Sequence, residues 1–260
     1  MTWVLDLDGV IWVGEEAVPG SPEAVARLRE AGQQVLFATN DSSLPAAVKE
    51  DKLARFGIPA EGCVVTSGMA AALLVEPGDR VLACGGPGVA EAVRQRGAEV
   101  VDASEAAAAG ANGAGRFDVV VAGFHWDFDY ERLRVSAQAV MAGARFLATN
   151  EDATFPSDLG IVPAGGAIVA AIAFAAGTRP EVAGKPHAPM VELIHGRSDG
   201  EPGTMVGDRP DSDGVFARAL GYRFGLVLTG VTDADDLPVE PTPDMIAPNL
   251  YDLVQAELET

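Results

Sequence analysis

Short apolar strands alternate with amphipathic helices along the chain, and this alternation restricts the fold more than any other feature. A strand at residues 3–5 is followed by a predicted helix over about 22–31 and by a second strand over 34–38. Ser21 is the predicted N-cap of that helix, with a proline at the first helical position and a glycine after its end. Strands that alternate with helices form βαβ units, in which the strands run parallel. The sequence therefore predicts an α/β fold built on a mainly parallel sheet.

The same alternation continues in the middle of the chain. Predicted strands cover residues 80–85 and 117–124, and a predicted helix covers about 130–141. The strand that follows ends in Ala-Thr-Asn at 148–150, the same tripeptide that ends the second strand at 38–40. This internal repeat predicts two α/β units within one chain.

The charge and the apolar content exclude several classes of protein. The 260-residue chain carries 38 acidic and 18 basic residues, which give a formal net charge of -20. A surface this acidic argues against nucleic acid and anionic membranes as partners. The longest apolar run, residues 166–177, is too short to span a bilayer, and two aspartates interrupt the stretch where a signal peptide would need its apolar core. We expect a cytoplasmic protein that binds neither nucleic acid nor membrane.

Two carboxylates stand close together directly after the first strand, in the stretch Val-Leu-Asp-Leu-Asp-Gly-Val. Side chains at positions i and i+2 of a strand point to the same face, so Asp6 and Asp8 are expected to lie near each other. Two carboxylates at that distance repel each other unless a cation or a shared proton intervenes. Such a pair at the end of a buried strand predicts a functional site.

Other polar residues also follow the ends of predicted strands. Thr39 and Asn40 end the second strand, Asp208 ends a strand near the C-terminus with Asp213 shortly after it, and Lys185 lies in a Gly-Lys-Pro turn. Ligands of parallel α/β sheets bind beyond the carboxyl ends of the strands, so we expect these groups at one edge of the sheet. Carboxylate oxygens suit Mg²⁺, and a lysine among them would neutralise a phosphoryl group. The pattern predicts a site for magnesium and phosphate.

Four of these segments, in this order, resemble the four motifs of the haloacid dehalogenase-like phosphatases. They are Asp-Leu-Asp-Gly-Val at 6–10, Ala-Thr-Asn at 38–40, Gly-Lys-Pro at 184–186 and Gly-Asp-Arg-Pro-Asp-Ser-Asp at 207–213. The resemblance covers nearly the whole chain and is strongest to the branch of 4-nitrophenylphosphatase and NagD-like sugar phosphatases. In that branch a large α/β cap is inserted between the second and third motifs.

The resemblance implies a domain organisation. A Rossmann-like parallel sheet core would comprise residues 1–79 and 184–260, and a smaller α/β cap domain would comprise residues 80–183. The active site would lie in the cleft between the core and the cap. Asn150 and Asp152 of the cap would lie near the substrate, and Trp12 is expected to line the same cleft.

The resemblance also implies a reaction, the hydrolysis of a small phosphomonoester through an aspartyl-phosphate. Asp6 would be the nucleophile. Asp8 would be the general acid for the leaving group and then the base that activates water. Thr39 would donate a hydrogen bond to the transferring phosphoryl group, with Asn40 beside it. Lys185 would hold the nucleophile and the phosphate together.

A magnesium ion is the cofactor that the resemblance implies. Its ligands would be Asp6, Asp208 and the backbone carbonyl of Asp8. Asp213 would support the metal through water. The partner would be a small phosphorylated metabolite.

The sequence leaves four questions open. Relatives often continue the second motif with a second asparagine where this chain has Asp41, which we expect to point outward or to cap the following helix. The motifs do not name the substrate, and the oligomeric state is open, with a homodimer as one alternative. A non-catalytic phosphate-binding or regulatory protein on the same scaffold, a phosphotransferase and a dehalogenase are the alternative functions.

Overall fold

Two parallel sheets organise the computed structural model, which describes residues 1–109, 115–157, 160–198 and 202–259. In chain order, the strands of this described part are β1 (Thr2–Leu5), β2 (Trp12–Val13), β3 (Glu16–Ala17), β4 (Gln34–Thr39), β5 (Val64–Thr66), β6 (Arg80–Cys84), β7 (Glu99–Asp102), β8 (Val119–Ala122), β9 (Arg145–Ala148), β10 (Thr154–Ser157), β11 (Gly160–Pro163), β12 (Glu181–Val182), β13 (Gly203–Gly207), β14 (Arg223–Val227) and β15 (Met245–Ala247).

The larger sheet consists of six parallel strands in the order β15-β14-β13-β1-β4-β5. β1 lies in its interior, where Leu5 is in register with Val206 of β13 on one side and with Phe37 of β4 on the other. Val4 packs into the apolar cluster on one face, whereas Trp3 and Leu5 pack into the cluster on the opposite face. A strand that is buried on both faces is typical of a parallel sheet covered by helices.

The smaller sheet consists of five parallel strands in the order β12-β9-β8-β6-β7. All its strands come between β5 and β13 in the sequence, so it is an insertion into the larger unit. Val81 and Val119 of this sheet belong to the same apolar cluster as Val4 and Leu36 of the larger sheet. The predicted α/β fold, with a parallel-sheet core and an inserted smaller α/β unit, is confirmed, while the exact domain boundaries stay a prediction.

Helices cover the sheets and connect their strands. In the described part of the chain they are α1 (Ser21–Glu30), α2 (Ala46–Arg55), α3 (Ser67–Leu73), α4 (Pro87–Gln95), α5 (Ala103–Ala108), α6 (Tyr130–Met141), α7 (Gly165–Ala176), α8 (Ala188–His195), α9 (Val215–Leu220) and α10 (Leu250–Leu258), with a π-helical turn at Pro210–Gly214 and a 3₁₀ turn at Ala234–Asp236. None of these helices is long and apolar enough to cross a membrane.

The prediction that Ser21 caps α1 is wrong. The helix begins at Ser21 itself and is preceded by Gly20, whose φ of 84° is in the left-handed region that favours glycine. The hydroxyl group of Ser21 instead donates a hydrogen bond of 2.7 Å to the carbonyl oxygen of Val10. The side chain therefore ties the start of α1 to the loop that follows Asp8.

Candidate active site

A cavity of about 230 Å³ opens at the carboxyl edge of the larger sheet and extends to the smaller unit. The nine residues to which the sequence assigns a catalytic, phosphate, metal or cap role all line it, namely Asp6, Asp8, Thr39, Asn40, Asn150, Asp152, Lys185, Asp208 and Asp213. Six of them lie at or after the ends of strands of the larger sheet, whereas Asn150 and Asp152 follow β9 and Lys185 follows β12 of the smaller one. The parallel direction of the strands explains the convergence of the six residues from the larger sheet, because the carboxyl ends of its strands share one edge.

Lys185 lies between two of the carboxylates. Its Nζ donates hydrogen bonds to Oδ1 of Asp6 at 2.8 Å and to Oδ1 of Asp213 at 2.7 Å. Only 2% of the lysine side chain is exposed. Burial by itself would lower the pKa of Lys185, but Asp213 and Asp6 together raise that pKa above its ordinary value. Lys185 is therefore a buried cation that fixes the position of Asp6.

Asp6, Asp208 and Asp213 form a group that could hold a metal ion. One carboxylate oxygen from each lies within 4.8 Å of the others, and all three residues are buried. Oδ1 of Asp208 is buried and has no hydrogen-bond partner among the described residues, whereas Oδ2 accepts a 2.6 Å hydrogen bond from the backbone N–H of Val231. A buried carboxylate oxygen without a donor is costly unless a cation faces it.

The electrostatics of this group favour the binding of a cation. Burial raises the pKa of Asp6 well above its ordinary value, against the opposing effect of Lys185. Burial, together with the charge of Asp213, raises the pKa of Asp208 to about 7. Three carboxylates around one ammonium leave an excess of negative charge, and oxygen ligands of this type are those that Mg²⁺ prefers. The residues present therefore fit a magnesium ion.

Two glycines allow the backbone to approach Asp208 closely. Gly9 has a φ of 80°, and a Cβ atom at this position would lie 2.6 Å from Oδ2 of Asp208. A Cβ at Gly230 would meet the same carboxylate. Any larger residue at either position would displace Asp208, so these glycines shape the candidate metal site.

Asp8 lies open to the cleft and is held by Trp12. The indole Nε1 of Trp12 donates a 2.8 Å hydrogen bond to Oδ1 of Asp8. Desolvation by the surrounding protein and the nearby charge of Asp41 raise the pKa of Asp8, and the hydrogen bond from Trp12 acts in the opposite direction. The expectation that Trp12 lines the cleft is wrong, because its side chain is buried behind Asp8 and is not among the described residues around the cavity.

Asn40 connects the two units rather than presenting a free amide to the cleft. Its Oδ1 accepts a 2.8 Å hydrogen bond from the backbone N–H of Lys185, and its Nδ2 donates to Oδ2 of Asp152 at 3.0 Å and to the carbonyl of Lys185 at 3.1 Å. Its own carbonyl accepts a 2.7 Å hydrogen bond from Nδ2 of Asn150. The side chain would have to break these bonds to contact phosphate.

Thr39 and Asp41 form the wall of the cleft beside Asn40. Oγ1 of Thr39 accepts a 3.0 Å hydrogen bond from the backbone N–H of Asp41 and remains able to donate its own proton. Asp41 also lines the cleft, where Nζ of Lys49 lies 2.9 Å from its Oδ2 and the backbone N–H of Ser43 donates to its Oδ1 at 2.8 Å. Although burial raises the pKa of Asp41, Lys49 and Ser43 lower it below its ordinary value.

The expectation that Asp41 points outward or caps the next helix is wrong. The following helix, α2, begins at Ala46 and is preceded by Pro45. Asp41 instead faces the cleft with its charge neutralised by Lys49, which is itself buried. Two of the three lysines of the chain, Lys49 and Lys185, therefore pair with carboxylates at this site.

Several further residues line the cavity without a role predicted from the sequence. Arg209 lines it and donates a 3.2 Å hydrogen bond from Nη1 to the carbonyl of Thr154 in the smaller unit. Its place next to Asp208 in the fourth segment is the signal that could have found it. Phe124, Trp126 and Phe155 also line the cavity, with ring centroids 5.0–5.9 Å apart. Only the fold brings these aromatic rings together.

Comparison with known sequences identifies the family. The model of the haloacid dehalogenase-like hydrolase family matches residues 3–99, and a HAD-hydrolase-like model matches residues 182–253. The chain is 35% identical to a D-glycerol 3-phosphate phosphatase of Mycobacterium tuberculosis, over 97% of this chain and 70% of that protein. It is 31% identical to the 5'-nucleotidase YutF of Bacillus subtilis, over 95% of this chain and 92% of that protein.

Solved structures show the same fold over nearly the whole chain. A hypothetical protein of Pyrococcus horikoshii OT3 matches with a TM-score of 0.89 at 34% identity, covering 98% of this chain and 99% of that one. A glycerol phosphate phosphatase of Mycobacterium tuberculosis in complex with magnesium matches with a TM-score of 0.87 at 34% identity, covering 98% and 77%. The 4-nitrophenylphosphatase of Thermotoga maritima matches with a TM-score of 0.86 at 33% identity, covering 98% and 96%. The chain belongs to the haloacid dehalogenase-like hydrolases, in the branch of 4-nitrophenylphosphatase and NagD-like proteins with an α/β cap.

Proposed function

We propose that the chain is a Mg²⁺-dependent phosphatase of small phosphomonoesters, with Asp6 as the nucleophile and Asp8 as the general acid and base. One observation carries the proposal. Nζ of Lys185 lies 2.8 Å from Oδ1 of Asp6 and orients it in the cleft, beside a buried group of carboxylates that includes an oxygen of Asp208 to which no described residue donates. The relatives with a named activity act on phosphate esters, which agrees with this chemistry.

Asp6, Asp208 and Asp213 are the side chains that would hold or surround the magnesium ion, and the carbonyl of Asp8 stays a predicted ligand. When bound, the ion offsets the negative charge of the phosphoryl group and of the carboxylates. Both oxygens of Asp213 already accept hydrogen bonds, from Nζ of Lys185 at 2.7 Å and from the backbone N–H of Arg209 at 3.2 Å. Because both oxygens are already occupied, these bonds favour the prediction that Asp213 supports the metal through water.

The first step forms an aspartyl-phosphate. A carboxylate oxygen of Asp6 attacks the phosphorus atom, and the bond between phosphorus and the ester oxygen breaks. The leaving oxygen takes the proton of Asp8, whose raised pKa favours the protonated form that this step requires. Lys185 and the hydroxyl of Thr39 would stabilise the phosphoryl oxygens.

The second step hydrolyses the intermediate. Asp8, now ionised, accepts a proton from water, and the resulting hydroxide attacks phosphorus. The bond from phosphorus to Asp6 breaks and inorganic phosphate leaves. The smaller unit closes one side of the cavity through Asn150, Asp152 and the aromatic rings, which would limit access of bulk water during the first step.

Several finer statements belong to the same proposal. We place the core at residues 1–79 and 184–260 and the cap at residues 80–183. The substrate is a phosphorylated metabolite small enough for a cavity of about 230 Å³. A cytoplasmic location and a homodimer complete the proposal, and cell fractionation and light scattering would test these two points.

Turnover of 4-nitrophenyl phosphate is the direct test of the proposed function. The purified chain should release 4-nitrophenolate with Mg²⁺ and lose this activity in a chelator. The Asp6→Asn variant should be inactive while it still unfolds at a similar temperature. A wild-type chain without activity on any of a panel of phosphomonoesters would favour the non-catalytic alternative. Transfer of phosphate to an added alcohol in place of water would favour the phosphotransferase.

A further inference from the structure

Backbone hydrogen bonds hold Trp12 against the loop that carries the proposed catalytic aspartates. The backbone N–H groups of Val10, Ile11 and Trp12 all donate to the carbonyl of Leu7, at 3.3, 2.9 and 3.1 Å. The carbonyl of Trp12 in turn accepts a 2.8 Å hydrogen bond from the backbone N–H of Gly9. The position of the indole relative to Asp8 is therefore fixed by the backbone over only a few residues.

Packing also immobilises the indole ring. Its side chain is 4% exposed. Nζ of Lys52 lies 4.6 Å from the ring centroid, and the ring of Phe56 lies 6.3 Å away at a tilt of 50°. Lys52 is held in turn, because it donates a 2.6 Å hydrogen bond to the carbonyl of Gly14 and a 3.2 Å bond to Glu15. α2 thus places a cation over the face of the indole.

The chemistry of the indole decides which oxygen of Asp8 can carry a proton. An indole N–H is a donor and never an acceptor. Oδ1 of Asp8 receives this N–H at 2.8 Å and is thereby kept as an acceptor. The part of the chain that the structure describes offers no hydrogen bond to Oδ2, and the residue is open to the cleft. The exchangeable proton must therefore lie on Oδ2.

We propose that Trp12 is a positioning residue that directs the proton of Asp8 to Oδ2, facing the leaving group of the substrate. This inference rests on the proposed function. It adds a role for a buried residue that does not touch the substrate and acts only through Asp8.

The proposal predicts a dependence on the leaving group. An alkoxide, such as the one that leaves glycerol 3-phosphate, must be protonated as it departs, so its release needs an aligned acid. The 4-nitrophenolate ion is stable in water at neutral pH and leaves without a proton. Loss of the indole N–H should thus slow the alkyl ester and spare the aryl ester. A merely structural role of Trp12 would affect both esters equally.

The Trp12→Phe variant is the first test, because phenylalanine keeps an aromatic ring for Lys52 and Phe56 and removes the N–H donor. The quantity to measure is kcat/KM, which reports the steps up to phosphoryl transfer. Relative to wild type, we expect a loss of about tenfold or more with glycerol 3-phosphate and of less than about threefold with 4-nitrophenyl phosphate. The ratio of the two values does not depend on the fraction of the sample that is folded.

Trp3→Phe is the matched control, since Trp3 is equally buried but packs in the sheet away from the cleft. Trp3→Phe should lower the stability of the chain without changing the ratio of kcat/KM for the two esters. If Trp12→Phe fails to fold, incorporation at position 12 of the tryptophan analogue with sulfur in place of N–H keeps the shape and removes the donor. Equal losses for both esters, or no loss for either, would overturn the positioning role. A wild-type chain that hydrolyses neither of these two esters nor any other of the panel of phosphomonoesters would contradict the proposed function itself.

Discussion

Nζ of Lys185 lies 2.8 Å from Oδ1 of Asp6, although the two residues are 179 positions apart in the sequence. Asp6 follows the interior strand β1 of the larger sheet, and Lys185 follows β12 of the inserted sheet. Asp213 holds the ammonium from its other side at 2.7 Å. The proposed nucleophile is therefore oriented by a cation that reaches it only when both sheets are in place.

Replacement of Lys185 by methionine should abolish most of the activity. The variant keeps the length of the side chain and removes the charge near the phosphoryl group, so kcat/KM for 4-nitrophenyl phosphate should fall by about 100-fold or more. The buried carboxylates of Asp6 and Asp213 would lose their partner, which costs about 3–5 kcal/mol and lowers the Tm. Arg223→Met is the control, because it removes an exposed ion pair with Glu257 and should change neither quantity much. Wild-type activity in Lys185→Met would contradict the proposed role of Lys185 in orienting Asp6 and stabilising the phosphoryl group.

Magnesium should stabilise the chain more at alkaline than at acidic pH. Without a cation, the pKa of Asp208 in the folded chain is raised to about 7 from an ordinary value of 3.8. The folded state thus binds this proton more tightly than the unfolded state. The resulting stability is fully present below about pH 3.8 and is lost as the pH rises through about 7. Mg²⁺ can bind the carboxylate of Asp208 only at pH values at which this group has lost its proton.

Calorimetry of the chelator-treated protein measures this effect. Millimolar MgCl₂ should raise the Tm by several degrees at about pH 8 and by little at about pH 5. The Asp208→Asn variant should show no such difference between the two pH values. The same Mg²⁺-dependent increase at both pH values would argue against competition between the proton and the metal at Asp208.

Lys49 should protect phosphate binding from the charge of Asp41. In Lys49→Met the carboxylate of Asp41 would face the cleft without its cation, and KM for a phosphomonoester should rise by about tenfold through repulsion. Asp41→Asn alone should leave KM within about threefold of wild type, and the double variant should recover a similar value. Steady-state kinetics of the wild type, the two single variants and the double variant form a double-mutant cycle. A double variant as impaired as Lys49→Met would exclude charge repulsion as the cause.

Asn40→Ala should displace Lys185 without removing the positive charge of its side chain. The change removes the amide that binds the backbone N–H and carbonyl of Lys185 and the carboxylate of Asp152. We expect kcat to fall by about 10–100-fold, since small displacements of reacting groups are costly. Asn249→Ala is the control, because Asn249 caps α10 far from the cleft and its loss should lower the Tm alone. Equal kinetics in the two variants would contradict a positioning role for Asn40.

The sequence was sufficient to predict the parallel architecture and the acidic, hydroxyl and lysine side chains that meet in the cleft. The reason is physical: parallel strands share one carboxyl edge, so polar residues after strands such as Asp6, Thr39 and Asp208 converge whatever the details of the loops. Lys185 could be singled out because the chain has only three lysines and this one lies in a tight turn.

The hydrogen-bond and ion-pair partners of individual side chains could not be predicted from the sequence. Ser21 was assigned to a helix cap, but its hydroxyl bonds to the carbonyl of Val10, a contact made only in three dimensions. The second motif predicts Asp41 outside the cleft, since a negative charge is unfavourable beside a phosphate site. The pairing of Asp41 with Lys49, which neutralises that charge, depends on the path of the chain before α2 and has no signal in the sequence. Trp12 was expected in the cleft wall, whereas its hydrogen bond to Asp8 turns the indole inward.

Detection of a phosphorylated Asp6 is the most direct test of the proposed aspartyl-phosphate mechanism. Acid quenching within milliseconds of mixing the chain, Mg²⁺ and an excess of substrate, followed by mass spectrometry of the peptide that contains Asp6, measures the intermediate. The account predicts the added mass of one phosphoryl group on Asp6, with larger amounts in an Asp8→Asn variant because hydrolysis lacks its base. An active wild-type enzyme in which no phosphoryl group appears on Asp6 in either protein, or in which it appears on another residue, would contradict the account.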